Sequence, residues 1–214
     1  MFEEFKFVGK KLFEEGLVGA YGSSLSIREK DKIIITKQGA ILSDLRDDDI
    51  MEVPVQGEAN KEASVDLLIH RLIYSSCEIS AVIHANPAYA GGLAVHEEKI
   101  APQDFDTKQV LKTIPVVRVR DPFSQDEMSR FLIPTFKNCY RFSMIRGFGG
   151  FAVAGTLLEA YQYTSLAEKA CKIIAISKSV EPKPIKKEER TKPAYRSAIP
   201  PSIGVMDRSY RGKR

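Results

Sequence analysis

Residues 80–95, SAVIHANPAYAGGLAV, read as a buried strand that ends on His84 and runs at once into a helix. A strand that hands over directly to a helix belongs to a layered architecture in which helices cover a sheet. It also places the side chain at the strand's carboxyl end beside a helix start, a position well suited to chemistry. One histidine alone is rarely a site, so the partners of His84 become the question for the rest of the chain.

The chain has 214 residues, 43% of them hydrophobic, which is enough for one sizeable core and a tail but hardly for two full domains. Its net charge of +4 is unevenly placed: residues 181–214 hold ten Lys/Arg against four Asp/Glu, a local +6, which leaves −2 for residues 1–180. The basic character therefore belongs to the tail. Five of the eleven prolines also fall in 181–214. Such a segment buries too little apolar surface to offset its ordering entropy, and it reads as an extended or disordered arm following a body of residues 1–180. Three separated cysteines without a CxxC suit a reduced, cytoplasmic compartment. The acid-rich opening, MFEEFKFVGKKLFEEG, is no signal peptide, and no apolar run approaches the ~18 residues a membrane span requires. The reading is of a soluble chain with no membrane contact.

Periodicity supplies the elements. Phe5, Val8, Leu12 and Phe13 share a helical face that Gly16 can close in a left-handed turn. Residues 25–36 read as two short strands joined by a charged turn, and IMEVPV as a strand that Pro54 assigns to an edge or a strand end. SVDLLIHRLIYSS reads as a helix whose apolar side includes Leu68, Leu72 and Ile73. Residues 96–113 carry no clear pattern. Beyond them come a strand at IPVVRV, a short helix at QDEMSRFLIPTF, strands at RFSMIRG and FAVAG around a glycine-rich corner, and a helix over 156–179. The pattern predicts an α/β or α+β layered domain.

Asp66 and His70 stand four apart on one predicted helix and share a face. With His84 they form a carboxylate–histidine–histidine set of the kind zinc binds; the alternative is that His70 packs against the sheet with Asp66 at the surface or as its hydrogen-bond partner. His96 is read as solvent-facing. The small-residue loops GAYGSSLSIR and TKQGA can present N–H groups and hydroxyls to a phosphate, or are plain turns. In the tail, Tyr195 and Tyr210 among Arg and Lys could stack on nucleic-acid bases, or the tail is a solvated basic segment.

Taken in order, SSLSIR, IIITKQG, SDLRDDDIMEV, ASVDLLIHRLIY, AVIHANPAYA and RGFGGFAVAGTLLEA resemble the class II aldolase/adducin head family from about residue 5 to 178. The resemblance implies a three-layer α/β/α fold with a central, mainly antiparallel sheet flanked by helices, assembled as a homotetramer with sites between subunits. It implies a zinc ion on three histidines that stabilises an enediolate, a glutamate that moves the proton, and small-residue loops that hold a phosphate. Placed residue by residue, the glutamate's position is Asp66, one methylene shorter. A shortfall of ~1 Å at a reacting proton can cost ~100-fold. The three zinc positions are His84, Asn86 and Phe148, so two of three ligands are absent. An amide oxygen is a poor zinc ligand and a phenyl ring is none. Ser24, Ser26, Thr36, Gly39 and Ser64 fall at the phosphate positions, with Arg28 in its place and Ser23-Ser24 where the family has Gly-Asn. No tyrosine occupies the stretch that would supply one to a neighbouring subunit, where Phe105 stands instead.

Three readings follow. The first is a family member with a small-molecule, sugar-phosphate-like pocket and a degenerate zinc site, aldol cleavage lost or altered, and no cofactor expected. The second is an active carbon–carbon lyase (an aldehyde-lyase) with zinc or another divalent cation on a rebuilt site, His70 substituting for a lost ligand beside Asp66 and His84. The third is a non-enzymatic scaffold whose basic tail meets an acidic partner or nucleic acid.

Overall fold

The computed structural model describes residues 2–58 and 60–180. Eight strands form one sheet: β1 (Ser24–Glu29), β2 (Lys32–Thr36), β3 (Ile50–Pro54), β4 (Ala81–Ala85), β5 (Lys99–Ile100), β6 (Ile114–Val117), β7 (Phe142–Ile145) and β8 (Gly149–Ala154). Their spatial order is β3-β2-β1-β4-β8-β7-β6-β5. Every neighbouring pair is antiparallel except β6 with β7. Pro54 closes β3 on the outer edge, where a residue without an N–H costs no ladder bond.

The alternation of side chains along the strands divides the core into two layers. Leu25, Ile34 and Ile83 point to one face, which is covered by α1 (Phe2–Glu14) through Phe5, Val8 and Leu12, by α3 (Ala88–Ala94), and by α7 (Leu157–Val180). Ile33, Ile35, Val82 and Phe151 point to the other. That face is covered by Leu67, Ile73 and Tyr74 of α2 (Leu67–Ser76) and by Met128, Leu132 and Phe136 of a broken helix. The three-layer α/β/α architecture with a mainly antiparallel sheet is as the sequence implies.

Details depart from the periodic reading where packing decides. Leu12, Phe13, Gly16 and Leu17 close α1 as expected: Leu17 N–H donates to Leu12 O (2.8 Å), Gly16 N–H to Phe13 O (2.9 Å), and Gly16 has φ +70°. Phe13, expected on the inner face, lies one residue past the buried stripe and is half exposed. On α2 the buried side is Leu67, His70, Ile73 and Tyr74, while Leu68 faces outward and Leu72 is only partly covered. The helix expected over QDEMSRFLIPTF is interrupted: α5 (Gln125–Glu127) passes through a π turn (Met128–Leu132) into α6 (Ile133–Lys137). Pro134 lacks an N–H and crowds the carbonyl four residues back, and Ile133 N–H bonds five residues back, to Met128 O. The patternless stretch holds β5 and α4 (Phe105–Val110), the latter capped by Asp104, whose Oδ2 accepts from Thr107 N–H at 3.1 Å.

No helix among the described residues is long and apolar enough to cross a membrane. The basic, proline-rich stretch 181–214, with Tyr195 and Tyr210, lies outside the described residues.

Candidate active site

β1 and α2 build the floor of the site. Strand alternation turns Ser24 and Ser26 to the α2 face, opposite the helix positions i and i+4 held by Asp66 and His70. Ser24 Oγ donates to Asp66 Oδ2 at 2.7 Å and stands 3.1 Å from His70 Nε2. Ser26 Oγ lies 2.6 Å from His70 Nδ1 and 2.8 Å from Tyr74 Oη. Asp66 occupies the N-cap position of α2, where the helix dipole favours a carboxylate, but its side chain makes no capping hydrogen bond.

β4 brings His84 to the same carboxylate. The register pairs Ser24 with His84 across β1–β4 and His84 with Phe151 across β4–β8. His84 Nδ1 lies 2.8 Å from Asp66 Oδ2. The imidazole stacks against two phenyl rings: Phe151 at 4.5 Å between centroids and 1° from parallel, and Phe148 at 4.7 Å and 16°. His84 Nε2 and Asp66 Oδ1 are buried with no hydrogen-bond partner among the described residues. Gly149 (φ +142°) makes room for the ring's far edge, since a Cβ there would stand 2.5 Å from both His84 Nε2 and Asn86 Oδ1.

Above this floor is a cavity of about 320 Å³. It is lined by Ser23, Lys37, Gly39, Ser64 and Asp66 together with His84, Asn86, Phe123 and Phe148, and Asn86 Nδ2 lies 3.4 Å from Ser23 Oγ. Phe123 meets Phe148 edge to face at 5.5 Å, so the wall beside His84 is aromatic.

Burial shifts the titrating groups. It pushes the Asp66 carboxyl upward, but the His84 charge and hydrogen bond, with His70 and Ser24, outweigh it and hold the group at about 2, below the ordinary 3.8. Burial lowers His70 from 6.5 to about 4, so that ring is neutral near pH 7. Tyr74 is raised, chiefly by burial.

The structure sorts the residues singled out in the sequence into two groups. Asp66, His84, Asn86, Phe148, Gly39 and Ser64 line one cavity. Ser24, Ser26 and Thr36 do not line it: all three are fully buried, the serine hydroxyls serve Asp66, His70 and Tyr74, and Thr36 Oγ1 accepts from Leu25 N–H at 3.2 Å. Arg28 is likewise spent on the carbonyls of Lys30 and Tyr74. His70, considered as a substitute ligand, has both ring nitrogens engaged by Ser24 and Ser26. His96 is exposed. Lys37 went unmarked in the sequence, although TKQGA contains it; a lysine directly before a glycine-containing turn was the available signal.

A zinc ion does not fit this donor set. His84 Nε2 is one imidazole nitrogen; Asn86 commits its amide N–H to Gly22 O, and Phe148 offers a carbon face. Zinc sites need at least three protein donors of N, S or carboxylate type. Among the described residues no group of three or more His, Cys, Asp or Glu side chains could hold a metal ion.

With this geometry in hand, comparison with known proteins places the chain in a family. The model for the class II aldolase and adducin N-terminal domain matches residues 4–175, and the chain belongs to that family. It is similar to the L-fuculose phosphate aldolase of Methanocaldococcus jannaschii, 25% identical over 177 residues that cover 82% of this chain and 96% of the relative. The crystal structure of L-fuculose-1-phosphate aldolase from Thermus thermophilus superimposes with a TM-score of 0.79 at 29% identity, covering 85% of this chain and 97% of that one. A sugar-phosphate aldolase from Thermotoga maritima shares the fold, with a TM-score of 0.67 at 19% identity over 85% and 96% of the two chains.

Two outcomes follow from the site's physics. Because the folded-state pKa of His70 lies below 6.5, the unfolded chain takes up that proton first, and stability falls as pH drops from about 6.5 to about 4. Asp66 adds a second loss between about 4 and about 2, because its carboxylate is stabilised only in the folded state. Urea midpoints measured against pH should show both steps, and His70→Gln should flatten the upper one; an unchanged upper step in that variant would contradict the assignment. Gly149→Ala should cost about 1–3 kcal/mol in the same measurement, because the new methyl group overlaps His84 and Asn86.

Proposed function

We propose that this chain keeps the family's cavity as a binding site for a small phosphorylated metabolite of the sugar-phosphate kind, and that zinc-dependent cleavage of a carbon–carbon bond has been lost or altered. The observation that carries this reading is the surroundings of His84 Nε2, where an amide and a phenyl ring stand at the positions the resemblance gives to histidines. Lys37, Ser23, Ser64 and the backbone of Gly39, which line the same cavity, supply the charge and donors for a phosphate. The second reading, a lyase with His70 as replacement ligand, is disfavoured by the two serines that occupy His70.

The protein purified without chelators should carry no stoichiometric, chelator-resistant zinc and release no dihydroxyacetone phosphate from fuculose 1-phosphate. Asn86→His combined with Phe148→His should bind one zinc per chain, with either single replacement doing much less. Tight zinc in the parent would contradict the reading. Calorimetry with small sugar phosphates should show weak binding that Ser64→Asp lowers by roughly tenfold or more, because it sets a like charge against the phosphate.

The assembly we infer is a homotetramer. Phe105 and Tyr21, 74% and 85% exposed, are large apolar surfaces of the kind an interface covers. Light scattering at micromolar concentration should give four chains per particle, and a monomer would count against it.

A further inference from the structure

Asn86 stands where the resemblance places a zinc-binding histidine, yet its side chain is spent on a loop. That loop, 18–22, runs from the turn after α1 to Ser23 and β1, and it brings Ala20, Tyr21 and Gly22 to the wall of the cavity. Asn86 holds both of its ends. Its backbone N–H donates to Leu17 O at 3.0 Å, and its Nδ2 donates to Gly22 O at 2.5 Å. Among the described residues, the bond to Gly22 O is the one hydrogen bond that residues 18–22 make. Val18 is buried in the core, so apolar contact secures the start of the loop and the Asn86 amide secures its end. Gly22 has φ +77°, a left-handed conformation that a residue with a Cβ rarely takes, so the turn meeting Asn86 is written into the sequence.

The amide has a direction. A carbonyl oxygen only accepts, so the atom facing Gly22 O is the NH2 group of Asn86 and not its Oδ1. That group carries two hydrogens, and the second has Ser23 Oγ at 3.4 Å, a longer contact that the hydroxyl meets with a lone pair. Ser23 therefore keeps its own hydroxyl hydrogen, for which the described residues hold no acceptor. Its neighbour Ser24 is fully buried and gives its hydrogen to Asp66. Ser23 is only partly covered and lines the cavity that also holds Lys37. An O–H without an acceptor, in a cavity with a lysine, is a donor for an anionic oxygen.

We propose that Asn86 is a positioning residue: its amide latches the loop 18–22 at the cavity and leaves the Ser23 hydroxyl hydrogen free to donate to a phosphate oxygen of the ligand. The proposal rests on the phosphate-binding reading above and assigns to Ser23 the contact that the buried Ser24 cannot make.

The test uses the full-length protein, with glycerol 3-phosphate as the probe. Without ligand, amide hydrogen exchange over 17–23 should speed up in Asn86→Ala and equally in Asn86→Asp, which keeps the side chain's shape and removes both N–H donors. Exchange at the parent rate in Asn86→Asp would overturn the latch. In calorimetry, Ser23→Ala should weaken the probe about tenfold and Asn86→Ala about fivefold. The double variant should be no weaker than Ser23→Ala alone, because Asn86 acts through Ser23, a non-additivity that general loss of packing would not produce. Losses that multiply to about fiftyfold would overturn the proposal, as would unchanged binding in Ser23→Ala. No binding of the probe by the parent protein would remove the phosphate reading and the role of Ser23 together, while the exchange rates, read without ligand, decide the latch by themselves.

Discussion

The carboxylate of Asp66 ties together three elements that would otherwise meet only through apolar contacts. Its Oδ2 accepts from Ser24 on β1 and His84 on β4 while the residue itself starts α2. An isolated buried charge costs several kcal/mol, and it persists only where donors and an opposing charge surround it. Here they do. Ser24, His70, Ser26 and Tyr74 continue the network away from the cavity, so the floor of the site is a polar seam between sheet and helix set inside an apolar layer. A seam of this kind fixes rotamers as well as register, because every member has a partner it cannot replace.

That seam changes the chemistry available at the position the family uses for a proton-moving glutamate. A carboxylate held at about 2 is a weak base near neutral pH, and one of its oxygens is already committed to a histidine. Asp66 is therefore suited to orienting His84. The two phenyl rings stacked on that histidine supply an apolar wall where a metal shell would need nitrogen donors. Phe148 offers no donor at a position the resemblance gives to a histidine, and its ring stacks on the imidazole.

Much of the fold was legible in the sequence because short apolar runs bounded by turn residues, buried along their length in the folded sheet, and helices with apolar stripes announce themselves. β5 and α4 were not, since two and six residues are too short to show a period; the Asp104–Thr107 cap was the only local sign. The parallel step between β6 and β7 depends on tertiary pairing, which periodicity does not report. Asp66, His84, Asn86 and Phe148, singled out by order and spacing, line one cavity. Ser24, Ser26 and Thr36 looked like phosphate ligands because a hydroxyl beside a turn reads alike whether it faces solvent or a helix. The discriminating clue was paired: serines two apart on a strand face the same way, and His70 and Tyr74, four apart on the following helix, offer the matching polar face.

The claim at the centre is that His84 Nε2 holds no metal ion. The most direct measurement is anomalous X-ray scattering at the zinc absorption edge from crystals of the full-length protein grown with excess zinc. The prediction is no anomalous peak within bonding distance of His84 Nε2. A full-occupancy peak about 2.0–2.1 Å from that nitrogen would contradict it.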